Sequence, residues 1–223
     1  FMKESDLPDK LTHAGLYGID TSMETLENLL DVQLDYYVRI NFSGFQNIID
    51  ALGGVTVYSE YDFTSIDGKE FVKGYNDLNG YEALLFVRER YAFENGDVQR
   101  GRNQMAMIQA MLDKIFSPTI LTNYMGLMDS LSSCFITDMP TSKIGDLVRM
   151  QLDDWAQWNI VSNSLTGYIA DMPTYSYGSS ETLSVILPDE SDVENAKELI
   201  DACINGETLR EPVKDVGLRY ASD

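Results

Sequence analysis

The sequence predicts an α/β fold, a three-layer α/β/α arrangement with a central mixed sheet. Three observations carry that expectation. Stretches with apolar residues at helical spacing alternate along the chain with short strand-like runs. Hydrophobic residues make up 44% and charged residues 23% of the 223 positions, the balance of an ordinary folded globule. Neither an internal repeat nor a low-complexity linker interrupts the chain. Residues 1–223 are therefore expected to form one domain, with a core over 9–116, C-terminal helices and strands over 117–206, and a tail over 207–223.

The elements follow in order. Thr21-Ser22-Met23-Glu24 has the form of a capping box opening a helix that carries Leu26, Leu29 and Leu30. DYYVRINF alternates, with Tyr36, Val38, Ile40 and Phe42 on one face, and predicts a strand. Ser43 then caps a helix holding Phe45, Ile48, Ile49 and Leu52, which Gly53-Gly54 ends before the short strand VTVY. Turn signals at Asp67-Gly68 and Lys73-Gly74 mark residues 59–77 as a loop or β-hairpin. LNGYEALLFV predicts a short helix capped by Asn79 with Glu82 three residues on. Helices are expected near 103–116 and 120–132, then one capped by Thr141 or Ser142. Residues 158–161 and 183–187 read as strands, and a last helix runs from about 192 to 204, stopped by Gly206.

Charge is the most informative feature. The net charge is −20 with only 16 Lys and Arg, yet Arg88, Arg90, Arg100 and Arg102 fall within fifteen positions. A planar guanidinium matches two phosphate oxygens at once, so such a gathering suits a phosphate anion. On an extended segment Arg88 and Arg90 share a face. Arg100 and Gln104 are expected at the start of the helix that follows, where free N–H groups and a partial positive charge favour anions. The plainer alternative is that these arginines are solvated, or paired with Glu89, Glu94 and Asp97.

Other chemistry is poorly served. The acidic surface excludes general nucleic-acid binding and adhesion to an anionic membrane. No run approaches the ~20 apolar residues of a membrane span. FMKESDLPDK lacks the apolar core and cleavage site of a signal peptide, so any targeting segment is expected outside this chain. Cys134 and Cys203 fit no metal motif, and both a disulfide and two buried thiols stay open. With His13 alone, no histidine-based metal site is available. Met105, Ile108, Met111 and Leu112 form a helical stripe that is either core or lipid-facing.

The strings DKLTHAGLYG, LLDVQLDYYVRINFSGFQNIIDALGGVTV, LNGYEALLFVRER and DVQRGRNQ, in this order over about residues 9 to 116, resemble the LytR-CpsA-Psr family. The later strings FITDM, DLVRMQLDDW and VILPDESDVENAKELI resemble its clostridial-type members. The resemblance implies an enzyme on the extracellular face of the Gram-positive cell membrane. That enzyme moves an anionic glycopolymer, wall teichoic acid or capsular polysaccharide, from an undecaprenyl diphosphate carrier to peptidoglycan. It implies that Arg88, Arg90 and Arg100 are catalytic, and that Lys10, Arg88, Arg90, Arg100 and Gln104 hold the diphosphate. Asp97, between the arginines, is expected to orient them. The family's magnesium is held by aspartates of an Arg-Ser-Asp-type element that does not precede residue 9, so no metal site is expected in this chain. The membrane anchor is likewise expected beyond it. Asn103 stands where the family carries arginine, with Arg102 one residue earlier. Two rivals use the same arginines: a non-catalytic module binding polyprenyl diphosphate or wall polymer, and a lipid-diphosphate hydrolase. A DNA-binding role has neither a basic face nor a helix-turn-helix signal behind it.

Overall fold

The computed structural model describes residues 8–94, 96–155, 158–210 and 219–220. After a 3₁₀ turn at Leu11–Tyr17 come α1 (Ile19–Leu30), β1 (Val38–Ile40), α2 (Phe42–Ala51), β2 (Val55–Ser59), β3 (Phe63–Thr64), β4 (Glu70–Phe71), β5 (Gly74–Leu78) and α3 (Gly80–Arg88). The chain continues through α4 (Gly96–Ile115), α5 (Pro118–Leu121), α6 (Tyr124–Leu131), β6 (Phe135–Thr137), α7 (Thr141–Asp154), β7 (Gly167–Thr174), β8 (Gly178–Pro188), α8 (Glu190–Ile204) and β9 (Arg219–Tyr220). Helices and strands are thus mixed along the chain, as the α/β class requires. Contacts divide it into two compact units, Tyr36–Ile160 and Phe1–Asp35 with Val161–Asp223.

The expected central sheet is replaced, among the described residues, by four small sheets: β1–β6, β2–β5, β3–β4 and β8–β7–β9. Local pairing explains this. β2 meets β5 antiparallel from Val55↔Leu78 to Ser59↔Gly74, and β3 and β4 form a second hairpin inside that connection. β1 is short because Asn41, not Ser43, caps α2: its Oδ1 accepts the Gly44 N–H at 2.7 Å, so Phe42 is already helical.

In the unit Tyr36–Ile160 the core is aromatic. Phe63 stacks on Phe71 with centroids 4.7 Å apart, Phe71 meets Phe86 edge-on at 5.4 Å, and Phe93 lies 4.9 Å from Phe63. Ile49, Val57, Ala83 and Met107 close around them. A second cluster gathers Ile48, Leu52, Leu131 and Cys134. Met111 packs against both, while Ile108 is half exposed, so only part of that stripe is core. The helix expected over 120–132 is broken in two: Pro118 opens α5, and Asn123 separates it from α6. Trp158 is not in a strand. Its indole stacks on Phe116 at 4.8 Å and donates to Gln151 Oε1 at 2.6 Å, side-chain contacts in place of a ladder. Pro140, rather than Thr141 or Ser142, precedes α7.

In the other unit, α1 starts three residues before the expected position. Gly18, at φ 116°, turns the chain, and the hydroxyls of Thr21 and Ser22 donate back to the carbonyls of Tyr17 and Gly18 instead of capping. The long β7–β8 hairpin went unpredicted over β7. Asp9 ties its connection to the 3₁₀ turn. The Asp9 carboxylate accepts the N–H (3.1 Å) and hydroxyl of Ser176, accepts the Lys10 N–H at 2.8 Å, and lies 2.7 Å from His13 Nδ1. Asp189 caps α8 by accepting the Ser191 N–H. Cys203 near the end of α8 is exposed, Cys134 is buried, and both are free thiols. The alternatives of a disulfide and of two buried thiols both give way to one buried and one exposed thiol.

Phe86 links the aromatic cluster to the last turn of α3. Phe86→Ala is expected to lower the unfolding free energy by about 3–5 kcal/mol in a urea titration. A loss under about 1 kcal/mol would show that the cluster does not act as one core.

Candidate anion site

The site begins with an accurately started helix. Asn79 Oδ1 accepts the Glu82 N–H at 3.0 Å and Glu82 Oε2 accepts the Asn79 N–H at 3.2 Å, the reciprocal pair expected from the sequence. Lys69 Nζ holds the other oxygen of Glu82 at 2.5 Å, and this ion pair, with the cap, keeps the Glu82 carboxyl below its usual range against the effect of burial. Ala83 and Phe86 face the core, so the end of α3 is fixed in position, and Arg88 is its last residue.

The chain leaves the helix at Glu89, whose backbone is extended (φ −63°, ψ 133°). Its side chain is only 4% exposed. Oε1 accepts three successive backbone N–H groups, Arg90 at 2.9 Å, Tyr91 at 2.7 Å and Ala92 at 3.0 Å, and Oε2 accepts that of Ile66 at 2.9 Å. Burial alone would raise its pKa; the four N–H donors outweigh that and hold the carboxyl below its usual value. Arg88 and Arg90 are therefore not two residues of one extended segment. One ends a helix and the other sits in a turn wrapped around a buried carboxylate.

α4 begins at Gly96, earlier than expected, so Arg100 and Gln104 lie inside the helix and Asp97 occupies its first turn. The partial positive charge of that helix end is thus offset by an acidic residue of its own first turn. Gly96 is required by proximity. A Cβ there would stand 2.1 Å from the Arg90 carbonyl oxygen and 2.8 Å from Arg90 Cγ. That close approach brings the turn within reach of Asp97. Asp97 Oδ2 pairs with Arg90 Nη2 at 3.2 Å and Oδ1 with Arg100 Nη2 at 2.9 Å. All three side chains are 38–47% exposed, so solvent and ligand reach both guanidinium groups.

The remaining expected residues are distributed differently. The Arg88 guanidinium stacks 4.7 Å above the ring of Phe42, a residue the sequence reading placed in a strand. Gln104 Nε2 donates to the Val87 carbonyl at 3.3 Å and stitches α4 to the last turn of α3. Lys10 precedes the 3₁₀ turn in the other unit. Asn103 is buried, donating to the Phe86 carbonyl at 3.3 Å and accepting from Gln99 at 3.0 Å, a structural tie between α4 and α3. Arg102 lies 3.9 Å from Glu60. Neither of two cavities, one of about 390 Å³ beside β2 and β5 and one of about 400 Å³ beside α6 and α7, is lined by these arginines. Sequence reasoning missed Glu89, Gly96 and Phe42. A carboxylate directly between two arginines is the one local sign that could have drawn attention to Glu89.

Among the described residues, no group of three or more His, Cys, Asp or Glu side chains could hold a metal ion. Among them, too, no helix is long and apolar enough to cross a membrane.

Comparison with known proteins bears on this arrangement. The model of the LytR_cpsA_psr family matches residues 5–195. A polyisoprenyl-teichoic acid–peptidoglycan teichoic acid transferase TagU of Bacillus anthracis is 35% identical over 146 residues, 65% of this chain and 48% of the relative. The chain thus spans about half the length of the curated relatives it matches. Among solved structures, TagV of B. subtilis is similar at TM-score 0.72 and 26% identity, over 89% of this chain and 75% of that one. TagT bound to LI-WTA is similar at TM-score 0.65 and 25% identity, over 85% of this chain and 69% of that one.

Two substitutions test the geometry. The folded-state pKa of Glu89 is depressed, so its stabilisation is complete above the unfolded value near 4.5 and is lost as pH falls through the lower folded value. Glu89→Gln is expected to cost about 2 kcal/mol at neutral pH and to flatten the acid limb of the stability curve; an unchanged limb in urea titrations would remove Glu89 from this role. Gly96→Ala is expected to move the turn away from Asp97, costing about 1–3 kcal/mol and shifting the Arg90 side-chain signals in an NMR spectrum. Unmoved signals would mean the contact relaxes elsewhere.

Proposed function

The chain belongs to the LytR-CpsA-Psr family, and on that premise we propose that it serves in a cell-wall glycopolymer phosphotransferase. The reaction proposed moves an anionic glycopolymer from a polyprenyl diphosphate carrier to a hydroxyl of peptidoglycan, at the extracellular face of the cell membrane. The observation that carries the reading is the Asp97-bridged pair Arg90 and Arg100, two guanidinium groups held by one carboxylate and open to solvent. Relatives named as teichoic acid transferases, and a TagT structure with bound LI-WTA, support the substrate class.

The chemistry asks little of covalent catalysis. The acceptor hydroxyl attacks the phosphorus that carries the polymer, the bridging P–O bond breaks, and its electron pair leaves with the carrier monophosphate. The hydroxyl proton is released to solvent or a base. Negative charge grows on the phosphate oxygens and on the leaving side, so positioned cations stabilise the transition state more than the ground state. Each of Arg90 and Arg100 gives one nitrogen to Asp97 and keeps further N–H donors for phosphate. Arg88, braced on Phe42, adds a third cation at the end of α3. Gln104 is proposed to contact the diphosphate from α4. Asp97 acts as an orienter and not as the base, because both of its oxygens are engaged by guanidinium groups. The magnesium ion implied by the resemblance finds no cluster of acidic ligands among the described residues, and no step here passes through it.

Arg90→Ala and Arg100→Ala are each expected to weaken binding of a polyprenyl diphosphate by ~1.5–3 kcal/mol, with Lys restoring only part because the fork is lost. Asp97→Asn is expected to have a smaller effect. Unchanged affinity in both arginine variants, measured by titration with the lipid diphosphate, would overturn the site. Product analysis with and without a peptidoglycan acceptor separates transfer from hydrolysis and from binding without turnover.

A further inference from the structure

The outer face of the β2–β5 ribbon carries chemistry that the anion site does not use. The inner face is core: Val55, Val57 and Leu78 are buried. On the outer face the register sets Thr56 opposite Asp77 and Tyr58 opposite Tyr75, and all four are exposed. The two tyrosines form an edge-on pair with centroids 5.4 Å apart and planes at 74°. Tyr75 is 75% and Tyr58 46% exposed, so the two rings together form a contiguous aromatic surface open to solvent. Side chains two apart on a strand share a face, so Thr56 and Asp77 continue this surface directly. They also form one wall of the depression of about 390 Å³, whose other walls include Asp50, Gly54, Asn79 and Lys114. Thr56 Oγ1 donates to Asp77 Oδ1 at 2.6 Å, Asp50 Oδ1 accepts the Gly80 N–H at 2.7 Å, and Asn79 Oδ1 accepts the Glu82 N–H at 3.0 Å. The polar wall is therefore held partly by the start of α3 and partly by the ribbon itself, and each of these carboxylates and the amide has a second polar atom for a ligand.

Exposed rings running into a shallow polar depression match the two-sided chemistry of a sugar. The C–H face of a pyranose is attracted to the negative face of an aromatic ring, and its hydroxyl and acetamido groups need donors and acceptors at the edge. The charge narrows the class. Asp50 and Asp77 outnumber Lys114 in the depression, and the whole chain is at −20, so a polyanionic polymer is repelled there. The carboxylates, ammonium and amide equally disfavour an apolar lipid chain. We propose that this face is a subsite for an uncharged N-acetylhexosamine glycan. Its place as the acceptor side of the transfer rests on the function proposed above; the glycan binding itself does not.

The test is calorimetric or NMR titration of the chain with a tetramer of N-acetylglucosamine, with polyglycerol phosphate as the acidic control. The tetramer is expected to bind and the acidic polymer not to bind at this face. Tyr75→Ala and Tyr75→Leu are each expected to weaken tetramer binding about tenfold or more, since leucine keeps apolar area but not the ring face. Asp77→Asn is expected to weaken it less. Affinity for polyprenyl diphosphate should be unchanged in the tyrosine variants, and tetramer affinity unchanged in Arg90→Ala, so the two sites fail independently. No tetramer binding by the parent chain, full binding by Tyr75→Leu, or preference of this face for the acidic polymer would each overturn the subsite.

Discussion

The Glu89 carboxylate, buried beneath the arginine turn, organises the chain on both sides of it. A buried carboxylate is costly unless its lone pairs are filled, and here four backbone N–H groups fill them. Three come from consecutive residues, so the turn that presents Arg90 takes its curvature from this one side chain. The fourth comes from Ile66 in the β3–β4 connection, so the same carboxylate also fastens that hairpin to the end of α3. The arginine turn thus needs no strand ladder to hold its shape.

Around that anchor, α4 performs two tasks with different residues. Its buried side makes structural ties: Asn103 reaches the Phe86 carbonyl, Gln99 reaches Asn103, and Met107 and Ala110 enter the aromatic core. Its exposed side carries Arg100 and, one turn earlier, Asp97. Gly96 lets the helix start approach the Arg90 backbone closely enough for Asp97 to span both arginines. In a chain so rich in carboxylates, cations left near acids would be neutralised at random. One fixed carboxylate shared between two guanidinium groups leaves them a net positive charge in a defined orientation.

The acidity of the rest of the surface divides binding tasks. The arginine cluster is the favourable place for a phosphate, while the β2–β5 face offers rings and mixed polar groups with an excess of carboxylates. Such separation suits two substrates of different charge, because each surface disfavours the ligand of the other. Both surfaces are braced by α3, the anion site at its C-terminal end and the β2–β5 face at its N-terminal cap.

The sequence by itself determined the α/β class, the order of most helices, the Asn79–Glu82 cap, the Asp67-Gly68 turn and the identity of the arginines, because each is written in local spacing and charge. Asp97 as a partner of Arg90 or Arg100 was equally legible, since opposite charges close in the chain find each other. The tertiary structure decided what depends on distant neighbours. Ser43 satisfies a capping rule, yet Asn41 takes the position because its oxygen reaches the Gly44 N–H. Trp158 alternates like a strand residue, yet stacking on Phe116 holds it in a loop. Glu89 looks like a solvated acid between two bases, and only the fold surrounds it with four N–H groups. Gly96 looks like a helix breaker, and only the approach of the Arg90 carbonyl makes the missing Cβ essential. Local pattern sets which elements can form; burial and close contact between elements select where they start, where they stop and which side chains they bring together.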